Sequence, residues 1–362
     1  MLQAIELAKK GTGFVNPNPL VGAVIVREDK ILAEGYHARY GEFHAERAAI
    51  AALKESAEGA TIYVTLEPCC HYGKQPPCTE AIIEAGITTV VIGSRDPNPL
   101  VAGKGVQILR DAGIHVIEDF MREECDTLND VFFHFIIRKT PYVVSKYAMT
   151  MDGKIATKTG ASKWITSEKS RAYVQQMRAK YMGIMAGIGT VLADDPLLTV
   201  REDGLRSPIR IICDSNMRIP LDSQIVKTAK EHPTILAYAN ENAEKKEKLI
   251  EAGLELICAS KDESCTEGKN DVDLCKLMEA LGERKIDSIL LEGGGTLNES
   301  AFKAGIVQKA FVFIAPKIFG GEHAKSPVSG VGVDTPDEAY HMTLLDMEQI
   351  GDDVLLTYQR KE

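Results

Sequence analysis

The sequence predicts an α/β protein with two domains, and three observations support this prediction. The chain has 362 residues, more than the ~250–300 residues at which a single hydrophobic core stops growing. Strand-like apolar runs alternate with helix-like runs in both halves, as in α/β layers. Between the halves, Lys139-Thr140-Pro141 ends a helical stretch, because proline disfavours helical angles in the residue before it. We therefore predict domains at 1–141 and 142–362.

The composition indicates a soluble globular protein that acts on a small molecule. Apolar residues make up 44% and charged residues 26% of the chain, as in ordinary globular proteins, and no apolar run has the ~18 residues of a membrane span. The net charge of −10 argues against a broad surface for nucleic acid. Residues 1–10 suggest an amphipathic helix rather than a signal peptide. The eight scattered cysteines are expected to be unbridged, which points to a reducing cytoplasm.

The first half is predicted to contain a sheet whose strands deliver the site at their carboxyl ends. The predicted strands are 20–26, 30–36 (its hairpin partner), 61–66, 88–93 and 114–118, and the predicted helices are 44–54, 78–85 and 103–112. The stretch 121–138 ends in an almost wholly apolar run. It predicts one long, buried docking helix that closes the domain.

The first half also contains His44-Ala45-Glu46, followed by Pro68-Cys69 and Cys78. This pattern is the zinc-deaminase signature, in which one His and two Cys bind the metal and the Glu does not. Three protein ligands leave a fourth position for water, whose pKa Zn²⁺ lowers from ~15.7 toward ~7. We predict His44, Cys69 and Cys78 as ligands. Glu46 would carry the proton of the water to the departing amine.

A structural zinc site is the alternative for these residues. Such a site is closed by four protein ligands, commonly with short spacing between its cysteines. Here eight residues separate Cys69 from Cys78, and Glu46 is placed for chemistry. The spacing therefore favours a catalytic ion, with Cys70 and His71 as spare candidate ligands.

The second half is also α/β, and its most informative motif is Glu292-Gly293-Gly294-Gly295-Thr296. Predicted strands are 142–148, 209–213, 234–238, 288–291, 309–314 and 354–358; predicted helices are 167–180, 241–252 and 272–282; 261–269 is the most loop-like segment. A strand that runs into glycines and then a helix lets backbone amides approach a phosphate. A simple tight turn is the alternative. Asn298 stands where the dinucleotide fingerprint has its last glycine, so a standard Rossmann domain is not predicted.

Over essentially its full length, the chain resembles the bifunctional riboflavin-biosynthesis deaminase–reductases. The resemblance rests on the segments 16–22, 44–46, 68–78, 151–156, 162–166 and 190–196 and on the Glu292 glycine turn. It implies a cytidine-deaminase-like three-layer α/β domain followed by a dihydrofolate-reductase-like α/β domain. The first would use Zn²⁺ to replace the 2-amino group of 2,5-diamino-6-(5-phosphoribosylamino)pyrimidin-4-one by oxygen. The second would use NADPH to reduce the ribosyl group, giving 5-amino-6-(5-phosphoribitylamino)uracil.

The resemblance also implies roles for individual residues beyond the zinc ligands and Glu46. Residues lining the deaminase pocket would be Asn18, His37, His71, Lys74 and Asn98. NADPH contacts would be Ala148, Trp164, Thr190, Asp194, Ser215, Gly294, Gly295 and Thr296. Reductase substrate contacts would be Lys146, Ser162, Arg178, Leu198, Arg201 and Glu292. The expected partners are phosphoribosylated pyrimidines and, in a homo-oligomer, further copies of the chain.

Without the resemblance, several of these residues have plainer explanations. A single tryptophan such as Trp164 is more often a core residue, Arg201 would be solvated surface, and Asp194 would end a helix. Two other functions compete with the bifunctional enzyme. A zinc deaminase for a nucleoside, guanine or tRNA adenosine, fused to an unrelated α/β domain, is the first; it would carry Pro-Cys-x-x-Cys, whereas Cys78 lies nine positions after Cys69. A zinc-stapled binding module would lose structure on chelation and would have no reaction that depends on Glu46.

Overall fold

The chain forms two compact units, Met1–Lys139 and Thr140–Glu362. The computed structural model describes residues 1–73, 75–98, 101–260 and 271–361. The predictions at Lys74 and 261–269 therefore lie outside the described residues. No helix in the described part of the chain has the length and apolar content that a membrane span requires.

The first unit alternates helices and strands around one mixed sheet. Its helices are α1 (Leu2–Lys9), α2 (Ala45–Ala51), α3 (Cys78–Glu84), α4 (Lys104–Asp111), α5 (Arg122–Asp126) and α6 (Asp130–Arg138), and its strands are β1 (Gly22–Arg27), β2 (Lys30–Tyr36), β3 (Thr61–Leu66), β4 (Thr89–Ser94) and β5 (His115–Ile117). The strand order is β2-β1-β3-β4-β5. The predicted hairpin of β1 and β2 is confirmed, and β3, β4 and β5 run parallel.

Helices cover both faces of this sheet, which gives the expected three layers. On one face, Ala49 of α2, Ile82 of α3 and Leu109 of α4 are fully buried against the strands. On the other face, Leu7 of α1 packs against Val24 of β1. Burying a Leu or Ile side chain stabilises a fold by about 1.5–3 kcal/mol. The layers therefore hold the carboxyl ends of β3 and β4 in fixed positions.

The prediction of a long buried helix over 121–138 is wrong. Two helices, α5 and α6, occupy this stretch, and α6 has no fully buried residue. The break has a physical cause in Asn129, whose side chain accepts a hydrogen bond from the Leu20 N–H (2.8 Å) and donates one to the Leu20 carbonyl (2.9 Å). Phe132 and Phe135 of α6 line a cavity, and Phe132 also packs against the edge of the core.

The second unit is built on a larger sheet. Its helices are α7 (Glu168–Lys180), α8 (Ile188–Asp194), α9 (Gln224–Lys227), α10 (Ala243–Glu251), α11 (Leu274–Glu283) and α12 (Gly295–Lys303), and its strands are β6 (Tyr142–Thr150), β7 (Gly183–Gly187), β8 (Ile209–Cys213), β9 (Thr234–Tyr238), β10 (Glu255–Cys258), β11 (Ser288–Leu291), β12 (Val307–Ala315), β13 (Met342–Ile350) and β14 (Asp353–Arg360). The strand order is β10-β9-β8-β7-β11-β6-β12-β14-β13. All pairs from β10 to β12 are parallel, and β14 and β13 add an antiparallel edge.

Two apolar clusters cover the two faces of this sheet. On one face, Leu277 and Leu281 of α11 and Ala301 of α12 pack against the strands. On the other, Val191 of α8 and Leu249 of α10 do so. Parallel sheets need such cover on both faces. The carboxyl ends of the parallel strands lie along one edge of the sheet, and the glycine turn between β11 and α12 lies at this edge.

The prediction that the cysteines are unbridged does not hold for all of them. Cys69, Cys70, Cys78, Cys125, Cys213 and Cys275 are free thiols. Cys258, however, is disulfide-bonded. The expectation that all eight cysteines are unbridged is therefore wrong at that residue.

Candidate metal centre and reductase site

The structure brings His44, Cys69 and Cys78 together in the first unit, where their ligand atoms all lie within 4.8 Å of one another. The Nδ1 atom of His44 lies 3.4 Å from the Cys69 Sγ and 3.5 Å from the Cys78 Sγ. Tetrahedral Zn²⁺ with bonds of ~2.1 Å to N and ~2.3 Å to S would place such atoms ~3.6 Å apart. The three side chains thus fit a zinc ion, with His44 offering Nδ1.

Three local features position these ligands. His44 is the N-cap of α2, so its side chain leaves the helix at the first turn. Cys69 follows β3, and its carbonyl accepts the N–H of Cys78 at 3.0 Å, which ties the strand end to the start of α3. Arg47 donates to the carbonyls of Pro76 (2.9 Å) and Pro77 (2.8 Å) and so holds the loop that leads to Cys78.

The electrostatics of the cluster favour a metal. The hydrogen bond with Cys69 and burial raise the pKa of Cys78, whereas hydrogen bonding from Cys78 and His44 lowers the pKa of Cys69. Its sulfur is then a thiolate at neutral pH, which is the form that binds a metal. A coordinated thiol is deprotonated outright, so an ion here would also hold Cys78 as a thiolate.

Glu46 lies beside the ligands and is 3% exposed. Burial and the neighbouring Cys69 raise the pKa of its carboxyl group to about 7. A group whose pKa is near the working pH both accepts and donates protons readily. Glu46 therefore has the protonation chemistry expected of a proton carrier.

A cavity of about 330 Å³ opens in front of the cluster. It is lined by Asn18, His37, His44, Glu46, Cys69, His71 and Asn98, which include four of the five predicted substrate contacts. His37 donates from Nδ1 to the Phe43 carbonyl at 2.9 Å, so its Nε2 accepts from the Asn18 amide at 3.2 Å. This arrangement leaves the Asn18 carbonyl oxygen as an acceptor for a ligand.

Asp96 is one of the carboxylates of this cavity that were not predicted as site residues. It is 8% exposed, and its Oδ1 accepts the N–H of Asn98 at 2.8 Å. Burial raises the pKa of Asp96 to about 6. Asp96 follows β4, the strand next to the one that delivers Cys69. A polar residue at that carboxyl end was the signal that could have found it.

In the second unit, Arg178 and Glu292 form a bidentate ion pair. The Arg178 Nε and Nη2 atoms donate to the two Glu292 oxygens at 2.7 and 2.8 Å, and both side chains are largely buried. Arg178 also donates to the Thr199 carbonyl at 3.1 Å, next to the predicted contact Leu198. Burial lowers the pKa of Lys146, which faces the same pair. Three predicted substrate contacts thus form one charged cluster.

The glycine turn joins β11 to α12 as predicted. Gly294 is the N-cap of α12, and a side chain there would approach only the Thr190 hydroxyl, at 3.5 Å. Gly295 is tighter, because a Cβ atom would lie 2.7 Å from the Ser326 carbonyl oxygen. The backbone at Gly294 is therefore open to a ligand on the side of Thr190.

The other residues predicted to contact NADPH or the reductase substrate lie outside the Arg178 cluster and the glycine turn, and they differ in exposure and in hydrogen-bond partners. Trp164 is 56% exposed, so the core explanation does not hold for it. Ala148 lies within β6 and pairs with Phe313, whereas Asp194 is the last residue of α8. Among the described residues, no hydrogen bond links Ser162, Arg201 or Ser215 to the Arg178 cluster. Arg201 is exposed and bonds Gln175 through its N–H, and the Ser215 hydroxyl bonds Asp271.

Comparison with known proteins assigns both units to known families. Residues 1–94 match the "cytidine and deoxycytidylate deaminase zinc-binding region", and residues 141–356 match the "RibD C-terminal domain". The riboflavin biosynthesis protein RibD of Actinobacillus pleuropneumoniae is 52% identical over 359 residues, covering 99% of this chain and 94% of that protein.

Solved structures agree over the whole chain. Acinetobacter baumannii RibD (form 1) superimposes with a TM-score of 0.88 at 35% identity, covering 100% of this chain and 98% of that one. A diaminohydroxyphosphoribosylaminopyrimidine deaminase/5-amino-6-(5-phosphoribosylamino)uracil reductase from Thermotoga maritima also gives 0.88, at 38% identity, covering 100% and 97%. These matches rule out an unrelated second domain. The chain therefore belongs to the RibD family of riboflavin-biosynthesis proteins, which joins a zinc-binding deaminase region to a reductase domain.

Proposed function

We propose that the chain carries out two consecutive reactions, deamination in residues 1–141 and reduction in residues 142–362. The substrate of the first is 2,5-diamino-6-(5-phosphoribosylamino)pyrimidin-4-one. The product of the second is 5-amino-6-(5-phosphoribitylamino)uracil. The observation that carries the proposal is the cluster of His44, Cys69 and Cys78 next to buried Glu46, at the wall of one cavity.

In the deamination, water supplies the oxygen that becomes the 2-carbonyl, and the amino group leaves as ammonia. Zinc, when bound by His44, Cys69 and Cys78, supplies Lewis acidity toward this water. The Glu46 carboxylate takes a proton from the water and returns it to the departing nitrogen. Asn18 accepts a hydrogen bond from the pyrimidine edge through its free oxygen, since its amide group is committed to His37.

In the reduction, NADPH, when bound, would supply a hydride to the ribosyl C1′; the bond from C1′ to the ring oxygen breaks, and that oxygen takes one proton to give the ribityl product. The backbone of the turn Gly294–Thr296 holds the cofactor phosphates at the start of α12. Glu292 stays ionised beside Arg178 and is an acceptor for the sugar hydroxyls. Burial lowers the pKa of Lys146, whose ammonium lies next to this pair and would donate the proton.

One assay tests both reactions. The purified protein is incubated with the diaminopyrimidine, with and without NADPH, and the products are followed by mass. Without NADPH we expect one amino group to be replaced by oxygen and ammonia to be released. With NADPH we expect the further addition of two hydrogens. Reduction of the substrate before loss of its amino group would contradict the proposed order.

The surroundings in which the chain works are also part of the proposal. A net charge of −10 and the small cavity support a small-molecule partner rather than nucleic acid. We place the chain in the cytoplasm, where its substrates and NADPH are available, and we propose a homo-oligomer. Sedimentation of the purified protein at several concentrations tests the latter, and a single monomeric species throughout would contradict it.

A further inference from the structure

Trp164 is the only tryptophan of the chain and more than half of its surface is exposed. A tryptophan side chain offers a large, flat apolar face on which the ring of a ligand can stack. Specific contacts hold this residue in place. Two cations, Arg171 and Lys317, contact it from different elements.

Arg171 covers one face of the indole. Its guanidinium carbon lies 4.5 Å from the ring centroid, and its Nη1 donates to the Thr166 carbonyl at 2.8 Å. Arg171 is in the first turns of α7, whose N-cap Ser167 is itself fixed. The Ser167 N–H donates to the buried Asp353 carboxylate at 2.8 Å, and the Ser170 hydroxyl donates to the same oxygen at 2.6 Å. The cation therefore rests on a rigid helix start.

Lys317 holds the backbone of the same residue. Its Nζ donates to the carbonyls of Trp164 (2.8 Å) and Ile165 (2.6 Å). The Lys317 carbonyl in turn accepts the Met151 N–H at 2.9 Å. Asp152 accepts the N–H groups of Phe319 (3.2 Å) and Gly320 (2.7 Å). The segment that carries Lys317 is thus tied to the turn that follows β6.

These anchors place Trp164 on the edge of the sheet where the glycine turn lies. Lys317 follows the carboxyl end of β12, and Met151 follows that of β6. The glycine turn follows the carboxyl end of β11, which pairs in parallel with β6. Ligands of open parallel sheets bind outside this edge.

We propose that Arg171 and Lys317 are positioning residues for NADPH, which hold Trp164 so that its uncovered indole face stacks on the cofactor. Arg171 covers one face of the indole, so only the other face is open to a ligand. Lys317 holds the backbone of Trp164 and so sets the position of its ring at the sheet edge. The inference rests on the proposed reductase function and on Trp164 as a cofactor contact. It adds two residues that act through the indole and touch neither substrate nor cofactor.

The test uses the full chain and the fluorescence of its single tryptophan. In the wild type, NADPH should change the Trp164 emission in a saturable way. In Arg171→Met, acrylamide should quench the cofactor-free emission more strongly, because a ring face is uncovered. The KM for NADPH should rise about threefold or more in Arg171→Met and about tenfold in Lys317→Met, which loses two charge-assisted hydrogen bonds. Arg171→Lys and Lys317→Arg, which keep the charge, should lie between these variants and the wild type.

A second cofactor measurement separates positioning from general damage to the fold. Trp164→Ala combined with Arg171→Met should raise the KM for NADPH no further than Trp164→Ala alone, because a residue that acts only through the indole has nothing left to position. Lys303→Met, on the exposed end of α12, is the matched control and should behave as the wild type. Additive losses in the double variant, or an unchanged KM in both single variants, would overturn the inference. If NADPH leaves the wild-type emission unchanged and Trp164→Ala keeps a normal KM, the proposed cofactor site itself is wrong.

Discussion

At the scale of single residues, Glu292 shows how a buried carboxylate stays charged. Burial alone would raise its pKa, but the Arg178 guanidinium and Lys146 lower the pKa to about 2. A carboxyl group with a lowered pKa stabilises the folded state above its ordinary value of 4.5. This contribution is lost as the pH falls from about 4.5 toward about 2.

Replacing Glu292 with Gln should therefore have a pH-dependent cost. At pH 7, the variant leaves Arg178 buried without its partner, which typically costs 3–5 kcal/mol. Below about pH 4.5, the wild type begins to lose the same contribution, so the difference between the two proteins should shrink. Unfolding followed by Trp164 emission measures this, because the only tryptophan lies in the second unit. A difference that stays constant from pH 7 to pH 3 would show that the ion pair does not cause it.

The metal centre makes a second prediction at this scale. Cys78→Ser should remove most of the zinc, since Cys78 supplies one of only three converging ligand atoms. Cys70→Ser is the matched control: it changes a neighbouring thiol that is not part of the cluster, and it should keep about one zinc per chain. Metal analysis of the purified proteins gives the ratio. Loss of zinc in Cys70→Ser, with retention in Cys69→Ser, would mean that the wrong vicinal thiol has been assigned.

At the scale of elements, two neighbouring glycines at the start of α12 should respond differently to substitution: a side chain at Gly294 should affect ligand binding, and one at Gly295 should also disturb packing. Gly294→Val is sterically allowed within the protein, because the nearest atom to its Cβ is the Thr190 hydroxyl at 3.5 Å and its backbone angles suit any residue. The new side chain should instead block the approach of the NADPH phosphates. We expect a large rise in the KM for NADPH or loss of reduction, with a normal melting temperature and normal deamination.

Gly295→Val gives the contrasting case one residue later. Its Cβ would lie 2.7 Å from the Ser326 carbonyl oxygen, so the segment packed on α12 must move. We expect a lowered melting temperature of the second unit as well as weaker NADPH binding. Unchanged NADPH binding in Gly294→Val would remove the cofactor from this turn.

Elements with a strong local pattern could be predicted from the sequence, and others could not. Strands β8, β9 and β11 are mostly apolar and begin and end where expected. Strand β7 was missed because it has only five residues and has glycine, a poor strand former, at both ends. Strand β13 was missed because almost all of its residues are exposed, so no alternation marks it. The break before α6 depends on the hydrogen bonds between Asn129 and Leu20, which are 109 positions apart.

At the scale of the whole molecule, the two sites differ in how far the sequence could predict them. The zinc centre follows from ligand types at close spacing, and the structure brings those residues together. Asp96 was missed because its role depends on which strands are neighbours. Apart from the glycine turn, the reductase residues were named by resemblance alone, since pairs such as Arg178 and Glu292 lie 114 positions apart and meet only in the folded unit. Lys317 was not identified from the sequence, because it meets Trp164, 153 positions away, only in the folded unit.

We propose that this one chain holds two independent sites that work in series, and the variant Glu46→Gln separates them. Both half-reactions of this variant are measured separately, with zinc content as a control. Deamination should fall by at least the ~10²–10⁴-fold that general acid–base catalysis contributes, while zinc stays bound because Glu46 is not a ligand. The deaminated intermediate, supplied directly, should still be reduced by NADPH at close to the wild-type rate. Loss of this reduction together with deamination would contradict two separate sites.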